Sequence, residues 1–334
     1  LMPLKDGTHA NLAPTGPSLY DGVLGVALYL HQVGRTQQAG LAWGPLADEL
    51  TTDDRDRVRR HVLNVGVGWC GVGGYLRAYD WLQRARKIDD DVAARVGAAV
   101  IDVLSPAMLS QDRWLDVLNG VAGLIVPLAD RLAQRVDLDE RDRIASLIAA
   151  AADRLVEQQR ADGSWTTLPG QPPLTGYAHG ASGIAVGLAT AALVLADQKY
   201  LDAALRGLEF EASTFDAEVG NWPDFRTTSA TDFMLGWCAG APGIALARMR
   251  LLQLLPDHPE AARWEEQLEA GARAAAAADL IDRDHLCCGN LGRAVVLRAL
   301  GTHRRRSEWV GAGDRLRDAV VARAGAGLPR PFLG

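Results

Sequence analysis

The sequence predicts an all-α fold, a double-layered helical barrel, and three observations carry that prediction. A glycine motif recurs along the chain, charged helical segments alternate with apolar ones, and signals for β-strands are few. Pairs of glycines in G-x-x-G spacing fall at Gly22/Gly25, Gly71/Gly74, Gly120/Gly123, Gly180/Gly183, Gly240/Gly243 and Gly289/Gly292. The first glycines of successive pairs lie 49, 49, 60, 60 and 49 residues apart. A repeat of this length marks an array of one supersecondary unit, and each interval has room for two helices of about 12 residues with short connections.

Each pair precedes an apolar stretch of helical character, such as Val26 to Leu30, Ile184 to Leu188 and Ile244 to Ala247. Such stretches are apolar nearly all round, as helices walled in by neighbours are. The segments between them differ. Asp139 to Val156, and Glu260 to Ala274 around Trp264 and Leu268, alternate charged with apolar residues at helical period and so keep one wet face. A ring of inner helices inside a ring of outer ones satisfies both patterns. No sustained alternation of polar with β-branched residues is present, so strands are expected to be minor.

Glycine at the start of an inner helix lets the chain turn sharply into it and lets neighbouring backbones crowd together. Side chains beside the pairs then point into one shared cavity. Those residues are Asp21, Trp69-Cys70, Asn119, His179, Cys238-Ala239 and Cys288, a set with more chemistry than packing requires.

Composition narrows the function. A chain of 334 residues with 48% hydrophobic content and a mean hydropathy of −0.02 fits one globular circular repeat. The net charge of −6 argues against a nucleic-acid partner, and Arg304-Arg305-Arg306 reads as a solvated helix end. No apolar run reaches the roughly 20 residues that span a bilayer, and no signal peptide or lipidation motif is visible. Four cysteines do not make a disulfide framework of this size, so a reducing cytoplasm is the expected compartment. Both ends look cut. The chain opens on Leu1 with a lead bearing Pro3, Gly7, Pro14, Gly16 and Pro17, and it stops at Pro331-Phe332-Leu333-Gly334, where a seventh glycine pair is due. A fragment of a larger enzyme, with its last repeat truncated, is the expectation.

The cysteines carry the mechanistic proposal. Cys238 lies in Gly236-Trp237-Cys238-Ala239-Gly240, and Cys287-Cys288 lie in His285-Leu286-Cys287-Cys288-Gly289, the matching turn one repeat later. Three thiols on two equivalent turns suit one soft divalent ion. Zn2+ is the natural candidate, tetrahedral and thiolate-loving, with one position open to substrate. Cys70, in Trp69-Cys70-Gly71, faces no partner cysteine and reads as a small buried residue.

At this point the ordered motifs resemble the lanthipeptide cyclases, most closely the carboxy-terminal cyclase domain of class II lanthipeptide synthetases, over nearly the whole chain, residues 1–334. The resemblance rests on Tyr20-Asp21-Gly22, Asp116-Val117-Leu118-Asn119-Gly120, Gly176-Tyr177-Ala178-His179-Gly180, Gly236-Trp237-Cys238 and Cys287-Cys288-Gly289. It implies an α/α toroid of about seven repeats with zinc at its mouth. It also implies intramolecular Michael-type addition of peptide cysteine thiols to dehydroalanine or dehydrobutyrine, which forms lanthionine thioether rings. By matched position the zinc ligands are Cys238, Cys287 and Cys288, and the proton-handling pair is Asp116 and His179. The implied partners are a dehydrated precursor peptide and the amino-terminal dehydratase domain of the same synthetase, absent from this chain.

Two departures from the family's pattern matter. Many members have Cys-His-Gly where this chain has Cys287-Cys288-Gly289, so the third ligand becomes a thiolate, and an all-thiolate set pushes electron density onto an incoming sulfur. Class I cyclases often carry an arginine four places before the first zinc cysteine. Here that place is Met234, which leaves no evident cation for the enolate.

Plainer readings stand beside these. His179 alone reads as a packed core histidine, Asp116 equally as a cap of its turn, and Asp21 first as a cap. Gln158-Gln159-Arg160-Ala161-Asp162-Gly163-Ser164-Trp165 resembles the segments that tie helices together in terpene-cyclising barrels, with a turn at Asp162-Gly163 and Trp165 packed between layers. Trp222 and Trp237 are expected to line or close the cavity. A zinc-dependent prenyltransferase or terpene cyclase is the alternative enzyme class, though its Asp-Cys-His set is missing. A non-catalytic, zinc-stapled peptide-binding toroid is the alternative without catalysis.

Overall fold

The computed structural model describes residues 2–3, 10–11, 16–63, 66–134, 137–226 and 232–325. Among them the chain forms α1 (Val23–Gln32), α2 (Thr36–Leu50), α3 (Arg55–Leu63), α4 (Val72–Arg84), α5 (Asp90–Asp102), α6 (Pro106–Leu109), α7 (Ala122–Leu132), α8 (Leu138–Glu157), α9 (Ala181–Leu195), α10 (Gln198–Ser213), α11 (Ala241–Leu254), α12 (Ala261–Ala277), α13 (Asn290–Arg304) and α14 (Ser307–Gly325). Strand content among the described residues is an antiparallel pair, Met2–Pro3 with Ala10–Asn11, and two isolated bridges, Asp216 with Asn221 and Leu235 with Gly240. The expected minor role of strands holds. The lead around Gly7 and Pro14, and the end at Pro331–Gly334, lie outside the described residues.

The chain divides into two compact units. One gathers residues 1–13, 160–186 and 204–334, and the other 14–159 and 187–203.

In the second unit α1 packs on α2, α4 on α5 and α7 on α8, while α4 also touches α1 and α7. The glycine-led helices are thus neighbours of one another, each backed by an amphipathic partner. α8 shows how the sequence builds such a partner. Asp137 caps it by accepting from the Glu140 amide at 2.8 Å, Asp139 and Glu140 sit in the first turn, and Arg154 sits in the last, all favourable to the helix dipole. Its buried residues Ile144, Leu147, Ile148, Ala151, Ala152 and Leu155 recur every three or four places, so one stripe faces inward.

In the first unit α11 packs on α12 and α13 on α14, and α11 also touches α13. α11 buries Ile244, Ala245, Ala247, Arg248 and Leu251 around its circumference, and α12 buries Trp264, Leu268, Ala272 and Ala275 on one face. The apolar and amphipathic patterns therefore separate as expected.

The intervals differ in content from the simple two-helix reading. The first contains a third helix, α3, and the second contains the short α6, whose start is fixed by Ser105 accepting from the Met108 amide and by Pro106 at its first position. The two 60-residue intervals spend their extra length outside helices, at 158–180 and, among the described residues, at 214–226 and 232–240, which carry most of the polar groups described next.

Candidate functional site

The glycine turns are where backbones meet. Gly22, Gly71, Gly240 and Gly289 are the N-cap residues of α1, α4, α11 and α13, none with a side-chain cap. Gly240 has φ +86°, and a Cβ on it would fall 1.7 Å from the Met234 carbonyl oxygen. Gly176 has φ +96°, and a Cβ there would fall 2.8 Å from Ala239 Cα. Only glycine fits both the conformation and the space.

Successive turns are joined by backbone hydrogen bonds. In the second unit the Trp69 amide donates to Val117 O at 3.0 Å and the Cys70 amide to Leu118 O at 2.8 Å. In the first unit the Ala178 amide donates to Cys238 O at 3.0 Å, and the Trp237 and Cys238 amides both donate to Cys287 O, at 2.8 and 3.4 Å. The turns bearing His179, Cys238 and Cys287-Cys288 are therefore laid side by side by their own main chains.

Cys238 and the Cys287-Cys288 pair therefore lie on adjoining turns. Cys238 is buried at 5% exposure. A hydrogen bond to Cys287, then burial and the charges of Cys287 and Cys288, push its thiol well above the ordinary range against the opposing pull of Arg226. Burial first, then the charge of Cys287, likewise pushes Cys288 up. Cys288 Sγ also lies 3.3 Å from His285 Nδ1. All four cysteines are free. Among the described residues no group of three or more His, Cys, Asp or Glu side chains is disposed to hold a metal ion.

Thiolates are the donors a soft divalent cation prefers, so the expected metal role of these cysteines rests on their chemistry and not on their arrangement.

His179 is half-buried. Its carbonyl accepts from Thr167 Oγ1 at 2.6 Å, and its ring acts electrostatically on Asp224. Its turn is held by Glu211, fully buried, whose Oε1 accepts from the Gly176 amide at 2.8 Å. Asp116 belongs to the other unit and is also fully buried. Its Oδ1 accepts from the Asn119 and Gly120 amides at 2.7 and 3.1 Å, so it shapes the third glycine turn, while the N-cap of α7 is Val121.

One expectation is corrected. Asp21 does not cap α1, because its carboxylate accepts the Ser18 hydroxyl and Gly22 is the N-cap. Trp222 is fully buried among Ala241, Ile244, Phe215 and Leu235 and with Phe215 borders a pocket beside α12. Trp237 stacks obliquely on Tyr177, with centroids 5.5 Å apart.

The sequence reading missed four residues. Asn221 accepts from the Ala241 amide and donates to Met234 O, and Asn290 donates to Arg283 O and Asp284 Oδ1, so each clamps one cysteine turn. Asp224 and Arg226 form a fork, with Nε to Oδ1 at 2.9 Å and Nη2 to Oδ2 at 2.8 Å. Nη2 of Arg226 also lies 3.2 Å from Met234 Sδ, and its charge acts on the Cys238 thiol. A cation therefore lies beside Met234, where the sequence had shown none. An asparagine just after Gly289 was a signal available in the sequence; nothing local marked Arg226.

The family model for lanthionine synthetase C-like proteins matches residues 13–315. The chain belongs to the lanthionine synthetase C-like family. Among solved structures it is similar to a nisin cyclase, with a TM-score of 0.65 and 15% sequence identity over 94% of this chain and 83% of that one. That likeness gives this family member its fold, an all-α α/α toroid. No curated protein matches the chain in sequence.

Proposed function

We propose that this chain is a lanthionine-forming cyclase acting on a dehydrated precursor peptide. The reading is supported by the main-chain joining of three turns, those of His179, Cys238 and Cys287-Cys288. Membership of the lanthionine synthetase C-like family supports it.

The reaction joins a peptide cysteine sulfur to the β-carbon of dehydroalanine or dehydrobutyrine. The carbon–carbon π pair moves toward the neighbouring carbonyl, leaving an enolate, and a proton delivered to the α-carbon completes the thioether. The thiol gives up one proton and the α-carbon takes one, so the addition is balanced without any redox partner. A free thiol of pKa about 8.5 is mostly protonated at neutral pH. A zinc ion held by Cys238, Cys287 and Cys288 would supply the Lewis acid that deprotonates and positions it.

The remaining work falls to the chain's own groups. His179, on a turn fixed by Glu211 and Thr167, delivers the proton to the α-carbon. Asp116, held in its own turn by the Asn119 and Gly120 amides, is proposed as the second proton-handling group. Trp237 and Tyr177 offer an aromatic wall beside Cys238 for the peptide. Dehydration of the peptide is assigned to a dehydratase domain of the same synthetase, working in a reducing cytoplasm.

The test is mass spectrometry of a dehydrated, cysteine-bearing peptide treated with a thiol reagent before and after incubation with the zinc-loaded chain. Loss of reagent uptake without mass change supports cyclisation. Full uptake by a chain that has bound zinc sinks it. His179→Asn and Asp116→Asn variants that keep zinc and full activity would remove those two roles.

A further inference from the structure

Arg248 and Arg293 are both fully buried, and only the first is fully partnered. Arg248 gives Nη2 to Glu211, Nη1 to the Ser182 hydroxyl and Nε to Gln267, so every nitrogen has an acceptor and the charge has a carboxylate. Arg293, on α13, is 1% exposed. Its Nη2 donates to Asp279 O at 2.8 Å and lies 3.4 Å from Asn290 Oδ1, both neutral acceptors. Its Nε and Nη1 are buried without a partner. The carboxylate whose charge acts on it, Asp279, is itself exposed.

A second guanidinium joins this group through Asn290. Arg323, on α14, gives Nη2 to the buried Asp284 and Nη1 to Ile281 O, and its Nε is also buried without a partner. Asn290 donates from Nδ2 to Asp284 Oδ1 at 2.9 Å and to Ile281 O at 2.8 Å. Two guanidiniums and one buried carboxylate leave a surplus of one positive charge. Water can complete hydrogen bonds, but it does not cancel charge, and a buried cation without a counter-ion is costly. Orphaned buried donors in folded proteins are met by a bound water or an ion.

We propose that Arg293 is the centre of an anion site at the start of α13, taking one small monoanion such as chloride or formate. The donors are closed off from solvent, so the ion has one or a few atoms. The surplus of one charge, with Asp284 close by, disfavours a dianion. The guanidinium plane suits a halide or a carboxylate. Because Asn290 also clamps the Cys287-Cys288 turn, an occupied site stiffens that turn. The proposal depends neither on a metal nor on the reaction proposed above.

The experiment melts the full chain at constant ionic strength while chloride, formate or phosphate replaces gluconate, for wild type, R293M and R293K. The width of the chloride NMR line is recorded on the same folded samples. In wild type, chloride and formate are expected to raise the melting temperature by about 2–4 °C along a saturable curve, with phosphate doing less. Wild type should broaden the chloride line, and formate should narrow it again by displacement. R293M should lose both effects, and R293K, which keeps the charge but not the planar donors, should retain part of them. If R293M does not fold, the chloride line of wild type and its response to formate decide alone. A rise that R293M retains, a rise equal for all anions, or a chloride line that formate leaves unchanged overturns the proposal and gives these donors to water.

Discussion

Arg248 donates from Nη2 to Glu211 Oε2 at 2.8 Å, and neither side chain has any exposure to solvent. Ser182 and Gln267 complete the cluster, the serine donating to Glu211 Oε2 at 2.5 Å and accepting from Arg248 Nη1 at 3.0 Å, the glutamine accepting from Arg248 Nε at 2.6 Å. Because Glu211 also takes the Gly176 amide, the pair ties the turn of His179 to α10 and α11. Removing one partner of a buried pair strands the other. Arg248→Met should therefore cost about 3–5 kcal/mol in denaturant melts. The double replacement with Glu211→Leu should be far less costly than the sum of the singles.

Gly240 and Gly220 both have positive φ, +86° and +70°, but only the first is crowded. Gly220→Ala should cost about 1–2 kcal/mol for the left-handed backbone alone. Gly240→Ala adds a clash with the Met234 carbonyl and should lower the melting temperature much further. Equal losses in the two variants would show that crowding at the cysteine turn is unimportant.

Burial first, then the charges of Asp21 and Asp116, push the Cys70 thiol up to about 12. At pH 8 only about one molecule in ten thousand then carries the thiolate. Native protein should leave Cys70 unalkylated under conditions that label it once unfolded. Cys70→Ala should keep zinc content and cyclisation at wild-type levels.

Burial raises Asp224, but the hydrogen bonds and charge of Arg226, with a smaller effect of His179, outweigh it and hold the carboxyl below its usual range. A depressed carboxyl contributes stability that is complete above its unfolded pKa of about 3.9 and is lost as pH falls through the folded value. The gap in melting temperature between wild type and Asp224→Asn should be constant near neutrality and close below about pH 4.

Trp165 is buried at 2% exposure, and a Cβ on Gly207 of α10 would fall 2.4 Å from its ring. Trp165→Ala should cost about 3–5 kcal/mol. Gly207→Ala should destabilise through overpacking, by about 1–3 kcal/mol. Thermal or denaturant melts check both.

Much of this was legible in the residues. The glycine pairs stood out because close backbone contact tolerates no side chain, and they marked the turns that the main chain joins. The turn at Asp162-Gly163 was also readable: Gly163 has φ +87°, and Asp162 accepts from the Ser164 amide and hydroxyl. Gln159, as expected of such segments, ties helices, donating to Ala203 O at 2.8 Å. What stayed hidden depended on the path of the chain. Asp224 and Arg226 lie outside any helix and without periodicity, and the approach of Arg226 to Met234 goes with the Asp224 amide donating to Asp232 O. Arg248 left a fainter sign, one of two arginines on a helix otherwise largely apolar, which suggested a polar partner without naming Glu211.

The close approach of Gly176 to Ala239, and of Gly236 to the Cys288 backbone, restricts how such a protein diversifies. Where two main chains touch, substitution has nothing to vary. New substrate preferences in relatives of this chain must arise from the neighbours of the glycines and from the long loops, while the seam itself stays constant.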